Sequence, residues 1–321
     1  MKNARRRRRF FNLLLLAASF LCIRPIAAQT SRSSDAALEK RVEGSPTLPF
    51  KQERFQFRAL PAGWVIGVVS GVAADDNGTI YVMQRGNNAD PILAFDLHGN
   101  LLRSWGRGDF VLPHSLRVDD KGNVWVVDTG ASAVIKYSPA GKKLLTIVVG
   151  DAPNTGNRFR GATDVAFAPS GHVLITDGYG NARVLEYSAD GRRIREWGRS
   201  GAAPGEFHLP HAIQVSKDGT VYVADRENGR IEEFTREGNF LREIDQLGRC
   251  YSLKLKNGVL WASTGPLGEA SGAAGWVVKL DPQTGRILGH LNLPKSSGHQ
   301  IDVLPSGEPI VTAGDGLLLL H

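Results

Sequence analysis

Cysteine is nearly absent from this 321-residue chain, which has only Cys22 and Cys250. Long apolar runs are equally scarce. The main one, residues 10–23, is too short to span a bilayer comfortably. It follows Lys2 and the five arginines 5–9 and is followed by the small residues Ala27 and Ala28. That order is the pattern of a signal peptide covering residues 1–28, with no stable membrane anchor and a periplasmic or secreted destination. The arginine run also suggests twin-arginine export, although the serine or threonine usual before the arginine pair is missing. Cys22 follows Phe20 and Leu21 rather than a small residue, which does not suit a lipidation site. Cleavage leaves Cys250 alone, so an internal disulfide is excluded even in a compartment that would permit one.

A net charge of either sign is also missing once the export segment is set aside. The formal charge of +7 comes from 39 basic and 32 acidic side chains. Lys2, Arg5 to Arg9 and Arg24 carry all of that excess, and removing them leaves a neutral chain. The basic character therefore describes the export segment and gives no support for nucleic-acid binding.

What is present is a repeat. Residues 29–50 are rich in serine and charge and poor in apolar residues, which predicts a disordered or loosely attached leader. Beyond them, short alternating runs at residues 79–83, 123–128, 173–177 and 220–225 are separated by DDNG, DDKG, PSG and KDG turns. Each unit adds two further strands around a glycine turn, making four antiparallel strands. Aligning the units on Val72, Leu116, Val165, Ile213, Leu253 and Ile301 gives spacings of 44, 49, 48, 40 and 48 residues. Such spacing indicates an all-β, six-bladed β-propeller over residues 51–321. The last unit lacks an outer strand, and residues 54–66 are expected to supply it and close the ring.

Two residues before each anchor stand Ser70, His114, Thr163, His211, Tyr251 and His299. Alternate blades thus aim an imidazole at the axis. Three histidines with an open fourth position match a catalytic zinc site. Arg85, Thr129, Gly178 and Arg226 follow the second strands and reach the same channel mouth, with Tyr179 at its rim. A phenol near a cation and guanidiniums would have its ionised form stabilised and could act as general base. Paired arginine hydrogen bonds suit a carboxylate. A different reading stands beside this one: Pro-His at the start of an inner strand can serve only to satisfy backbone groups, as in non-enzymatic NHL-repeat propellers. The recurrence of Asp128, Asp177 and Asp225 at one position points to loop fixing. No role is assigned to His98, His172, His208, His290 or His321.

The segments Val69-Ser70-Gly71-Val72, Leu112-Pro113-His114-Ser115-Leu116, DGYGNARV, LPHAI and VADRENGRI, in this order, resemble the peptidyl-α-hydroxyglycine α-amidating lyases. These are six-bladed propellers of NHL type, and the resemblance spans residues 54–321. It implies cleavage of the N–C bond of a peptidyl-α-hydroxyglycine, or a related N-(α-hydroxyacyl) compound, to an amide and glyoxylate. It implies zinc on His114, His211 and His299, Tyr179 as base, and Arg85 and Arg226 in the pocket. It also implies calcium on the carbonyls of Val72 and Leu116, with Gln300 where the family has an aspartate and a neutral amide offers no charge. Ser297 replaces a methionine of the pocket wall. The animal enzymes' disulfide positions fall on Arg160 with Gly180 and on Tyr222 with Glu233, both members of each pair being changed. No companion monooxygenase domain to make the α-hydroxyglycine is expected in this chain. The expected partner is a small-molecule or peptide substrate bearing an α-hydroxyl and a carboxylate, and the expected state is a monomer. Two other readings are a zinc-dependent hydrolase or lactonase, and a non-catalytic NHL-repeat scaffold.

Overall fold

The computed structural model describes residues 40–150, 157–268 and 273–321; the expected signal peptide and the first half of the expected leader lie outside them. Six four-stranded antiparallel sheets follow one another around a ring. Their innermost strands are Val69–Ala74, Pro113–Val118, Asp164–Phe167, Pro210–Val215, Arg249–Lys256 and Ser297–Val303, defining blades one to six. Every anchor of the repeat falls in one of these strands and is fully buried. Among the described residues, no helix is long and apolar enough to cross a membrane.

The blades hold together pairwise. Each interface between neighbours has its own apolar cluster: Tyr81, Met83 and Val126 between blades one and two, for example, and Val173, Ile175 and Val127 between two and three. A core distributed this way grows with the number of blades, so a ring of this length needs no single large interior. Within blades the turns are fixed by aspartates. Asp119 accepts the backbone N–H of Lys121 and of Asn123 through one carboxylate oxygen, and Gly122 takes a φ of 75° that closes the turn.

Closure differs from expectation in its place. The outer strand of blade six is Gln52–Arg54, paired antiparallel to Gly316–Leu320 with Gln52 opposite Leu320. Of the expected segment only Arg54 lies in that strand; residues 55–66 instead pack Phe55, Phe57, Leu60, Trp64 and Ile66 against the cluster between blades six and one. Apolar side chains that fill a gap between blades cannot at the same time lie along an outer edge. The expected loose leader is also corrected from residue 40 onward. Val42 is buried in the cluster between blades four and five. Leu48 donates its N–H to the carbonyl of His290, and the His290 N–H returns to Pro46. That segment covers the free edge of blade five.

Candidate metal centre and active site

The inner strand of each blade has a free edge facing the axis, and its N–H and C=O groups must find partners there. That requirement builds the site. In blades two, four and six the pairing slips at the histidine, between Pro113 and Ser115, Pro210 and Ala212, and Ser297 and Ile301. A bulge of this kind re-aims a side chain. Each imidazole then reaches the next blade. His114 Nδ1 lies 2.7 Å from the carbonyl oxygen of Thr163, His211 Nδ1 2.7 Å from that of Tyr251, and His299 Nδ1 2.7 Å from that of Ser70. A carbonyl only accepts, so each Nδ1 is the donor and each Nε2 carries a lone pair toward the channel.

Those three lone pairs converge. The Nε2 atoms of His299 and His114 are 3.2 Å apart, and the three possible ligand atoms lie within 4.8 Å of one another. Zinc–nitrogen bonds of about 2.0–2.1 Å place tetrahedral neighbours about 3.4 Å apart, so the closer pair already has that spacing. Protonation does not relieve the crowding. Burial, first, and the neighbouring histidines and arginines push His114 and His211 well below the ordinary imidazole value, and burial with Arg85 and Arg226 pushes His299 down to about 4. Acceptors packed this closely suit a metal ion, and the three-histidine cluster could hold one.

Tyr179 stands over the cluster, its hydroxyl 3.1 Å from Nε2 of His114 and 3.1 Å from Nε2 of His211. It is held from below by Gly178, where a Cβ would come within 2.1 Å of the carbonyl of Pro210. Only glycine lets blade three approach blade four so closely. The expected lowering of the phenol by guanidiniums is present but outweighed: burial pushes Tyr179 above its usual value, against Arg226 and Arg85.

The arginines flank the tyrosine. Arg85 Nε donates to the carbonyl of Pro113 at 2.8 Å, while its Nη2 is buried without a hydrogen-bond partner. Arg226 lies over the rings of Tyr179 and Tyr251 and pairs with Glu227 at 2.8 Å. The N–H of Arg226 donates to Leu209, whose φ of 68° is a strained value for leucine, just before Pro210 and His211. Asp128 and Asp225 do fix loops, accepting the N–H groups of Val111 and Leu112 and of His208.

Three residues of the site escaped sequence reasoning. Phe159 packs on Tyr179 at 5.0 Å between ring centres and carries the guanidinium of Arg85 at 5.6 Å. Arg117 and Asp164 form a buried pair at 2.6 Å in the channel, and Asp164 also accepts the Ile213 N–H. Of the residues implied for calcium, Val72 is buried in the blade one strand, and Gln300 is bonded to Leu116. Tyr222 and Glu233 are direct cross-strand neighbours.

An NHL repeat model matches residues 207–234, the segment around His211 and Arg226. The chain is 32% identical over 294 residues to the peptidyl-glycine alpha-amidating monooxygenase of Mus musculus, covering 78% of this chain and 29% of that protein. It is 29% identical over 316 residues to peptidyl-alpha-hydroxyglycine alpha-amidating lyase 1 of Drosophila melanogaster, covering 82% of this chain and 58% of the relative. The chain therefore spans less than two thirds of either relative. A streptogramin B lyase structure superposes with a TM-score of 0.58 at 15% identity, covering 85% of this chain and 97% of that one, and shares the fold.

Proposed function

We propose that this chain, a relative of the peptidyl-α-hydroxyglycine α-amidating lyases, is a zinc-dependent lyase that splits an N-acylated α-hydroxyglycine into an amide and glyoxylate. The observation that carries the proposal is Tyr179, whose hydroxyl sits 3.1 Å from two of three converging imidazole nitrogens, with arginines on both sides. Zinc held by His114, His211 and His299 would lower the pKa of a bound hydroxyl and make its proton available.

The side chains supply the rest. Tyr179 is placed to take the substrate's hydroxyl proton. As the oxygen's electrons form the aldehyde C=O, the C–N bond breaks, its pair stays on nitrogen, and a proton returns to give the amide. Arg85 offers its unpartnered Nη2 to the substrate carboxylate, fixing which face of the α-carbon meets the tyrosine. Arg226, tied to Glu227, holds positive charge beside the phenol in its ionised phase. The enzyme acts on small-molecule or peptide substrates as a monomer. Export to the periplasm or beyond the cell belongs to the same proposal and is supported by the arginine and apolar runs at residues 5–23.

The test is elemental analysis of purified protein together with glyoxylate release from α-hydroxyhippurate. About one zinc per chain with glyoxylate supports the lyase. Zinc without glyoxylate favours the hydrolase, and no metal even after reconstitution favours the scaffold.

A further inference from the structure

Gln300 follows His299 in the inner strand of blade six and is buried. Its side chain crosses in front of blade one to reach blade two. It has room because residue 71 is glycine: a Cβ there would lie 2.8 Å from Gln300 Oε1 and 2.8 Å from Leu116 Cδ2. At the far side Gln300 Nε2 donates to the carbonyl of Leu116 at 2.5 Å, and Oε1 accepts the Leu116 N–H at 3.3 Å. One amide therefore occupies both backbone groups of one residue, as a neighbouring strand would. Leu116 stands two residues after His114. The amide thus joins the strand of one imidazole to the strand of another, across a blade that carries neither.

The calcium implied by the family resemblance does not fit these residues. The Leu116 carbonyl already accepts an N–H, and a cation there would face that donor. Gln300 brings a neutral oxygen already turned to an N–H, whereas calcium takes six to eight oxygens and gains from carboxylates. We propose that the Gln300 amide stands in for a cation at this point of the channel, and that it is a positioning residue holding His299 and His114 in register. The positioning half rests on the three-histidine metal site read above; the calcium half does not.

The experiment uses zinc-loaded full-length protein. Its melting temperature is measured with added calcium and without it in calcium-depleted, chelator-free buffer, and its zinc affinity separately by chelator competition. Wild type should melt at one temperature in both conditions, and a calcium-dependent rise overturns the substitution of amide for cation. Gln300→Ala should weaken zinc binding by roughly 10- to 100-fold, the usual effect of losing an outer-shell support. Unchanged zinc affinity overturns the positioning role. If that variant does not fold, Gln300→Met keeps the length without the amide and is judged the same way. Gln300→Asp should bind zinc weakly alone and regain affinity with calcium, a rescue that a packing role would not give; failure of calcium to rescue it overturns the stand-in. If wild type binds no zinc, the metal reading fails, while the calcium melts still decide the amide's part.

Discussion

His114 donates from Nδ1 to the carbonyl oxygen of Thr163 across 2.7 Å, and this one bond unites two readings of the sequence that look opposed. A histidine at the start of an inner strand does satisfy backbone, the role it has in a plain scaffold. By doing so it also fixes its own tautomer and presents Nε2 to the axis, as metal-binding histidines require. The same bond recurs from His211 to Tyr251 and from His299 to Ser70. Donors and acceptors therefore alternate around the ring at one register, which is why three imidazoles rather than six meet at the mouth.

His211→Ala removes one of the three nitrogens and leaves the Tyr251 carbonyl without its donor. Zinc content by elemental mass spectrometry should fall well below one equivalent. The melting temperature should also fall, since a buried acceptor left unpaired costs about 1–3 kcal/mol. Retention of full metal would undo the three-histidine assignment.

Tyr179→Phe keeps the ring against Phe159 and removes only the hydroxyl. Turnover should drop about 100- to 10,000-fold, the range for losing a general base, with zinc content unchanged. Equal turnover in the variant would take Tyr179 out of the chemistry.

The ring of blades was legible because each repeat declares itself locally, through turn residues and an apolar anchor, and the anchor fixes what stands two residues before it. The same register named His114, His211 and His299. Elements without local pattern were lost. Gln52–Arg54 is short, polar and exposed on every side chain, so nothing marks it as the closing strand, whereas the apolar run after it advertises itself and packs elsewhere. Phe159 lies in a polar loop with no period, and its importance comes from a contact with Tyr179, twenty residues on. Arg117 and Asp164 are 47 residues apart and meet only when blades two and three pack. Gln300 was visible as a departure from a family pattern; that its amide grips Leu116 was not.

Arg85→Lys keeps the positive charge but loses the planar fork that bonds Pro113 through Nε and carries the buried, unpartnered Nη2. KM for a carboxylate-bearing substrate should rise roughly 10- to 100-fold, as expected for a charged hydrogen bond of about 1.5–3 kcal/mol, with kcat changed less. Phe159→Ala should give a smaller rise in the same direction, because the ring supports the guanidinium through a contact worth about 0.5–2 kcal/mol. A fall in kcat with KM unchanged in Arg85→Lys would move Arg85 from substrate binding to the chemical step.

Glu232 should make stability depend on pH. It lies fully buried in blade four, with Oε1 on the Gly205 N–H and near Arg230, and with Oε2 unpaired. Burial pushes its carboxyl up to about 7; Asp225 and Glu243 add to the rise, and Arg230 and the Gly205 N–H oppose it. The folded chain thus binds this proton more tightly than the unfolded chain, whose carboxyl titrates near 4.5. Between those two values stability falls as pH rises, by on the order of 3 kcal/mol in all, and below 4.5 the penalty is absent. Glu232→Gln removes the proton from the balance. Its melting temperature should therefore drop less than that of wild type between pH 5 and pH 8, and equal drops in the two proteins would show that the charge on Glu232 is not what burial opposes.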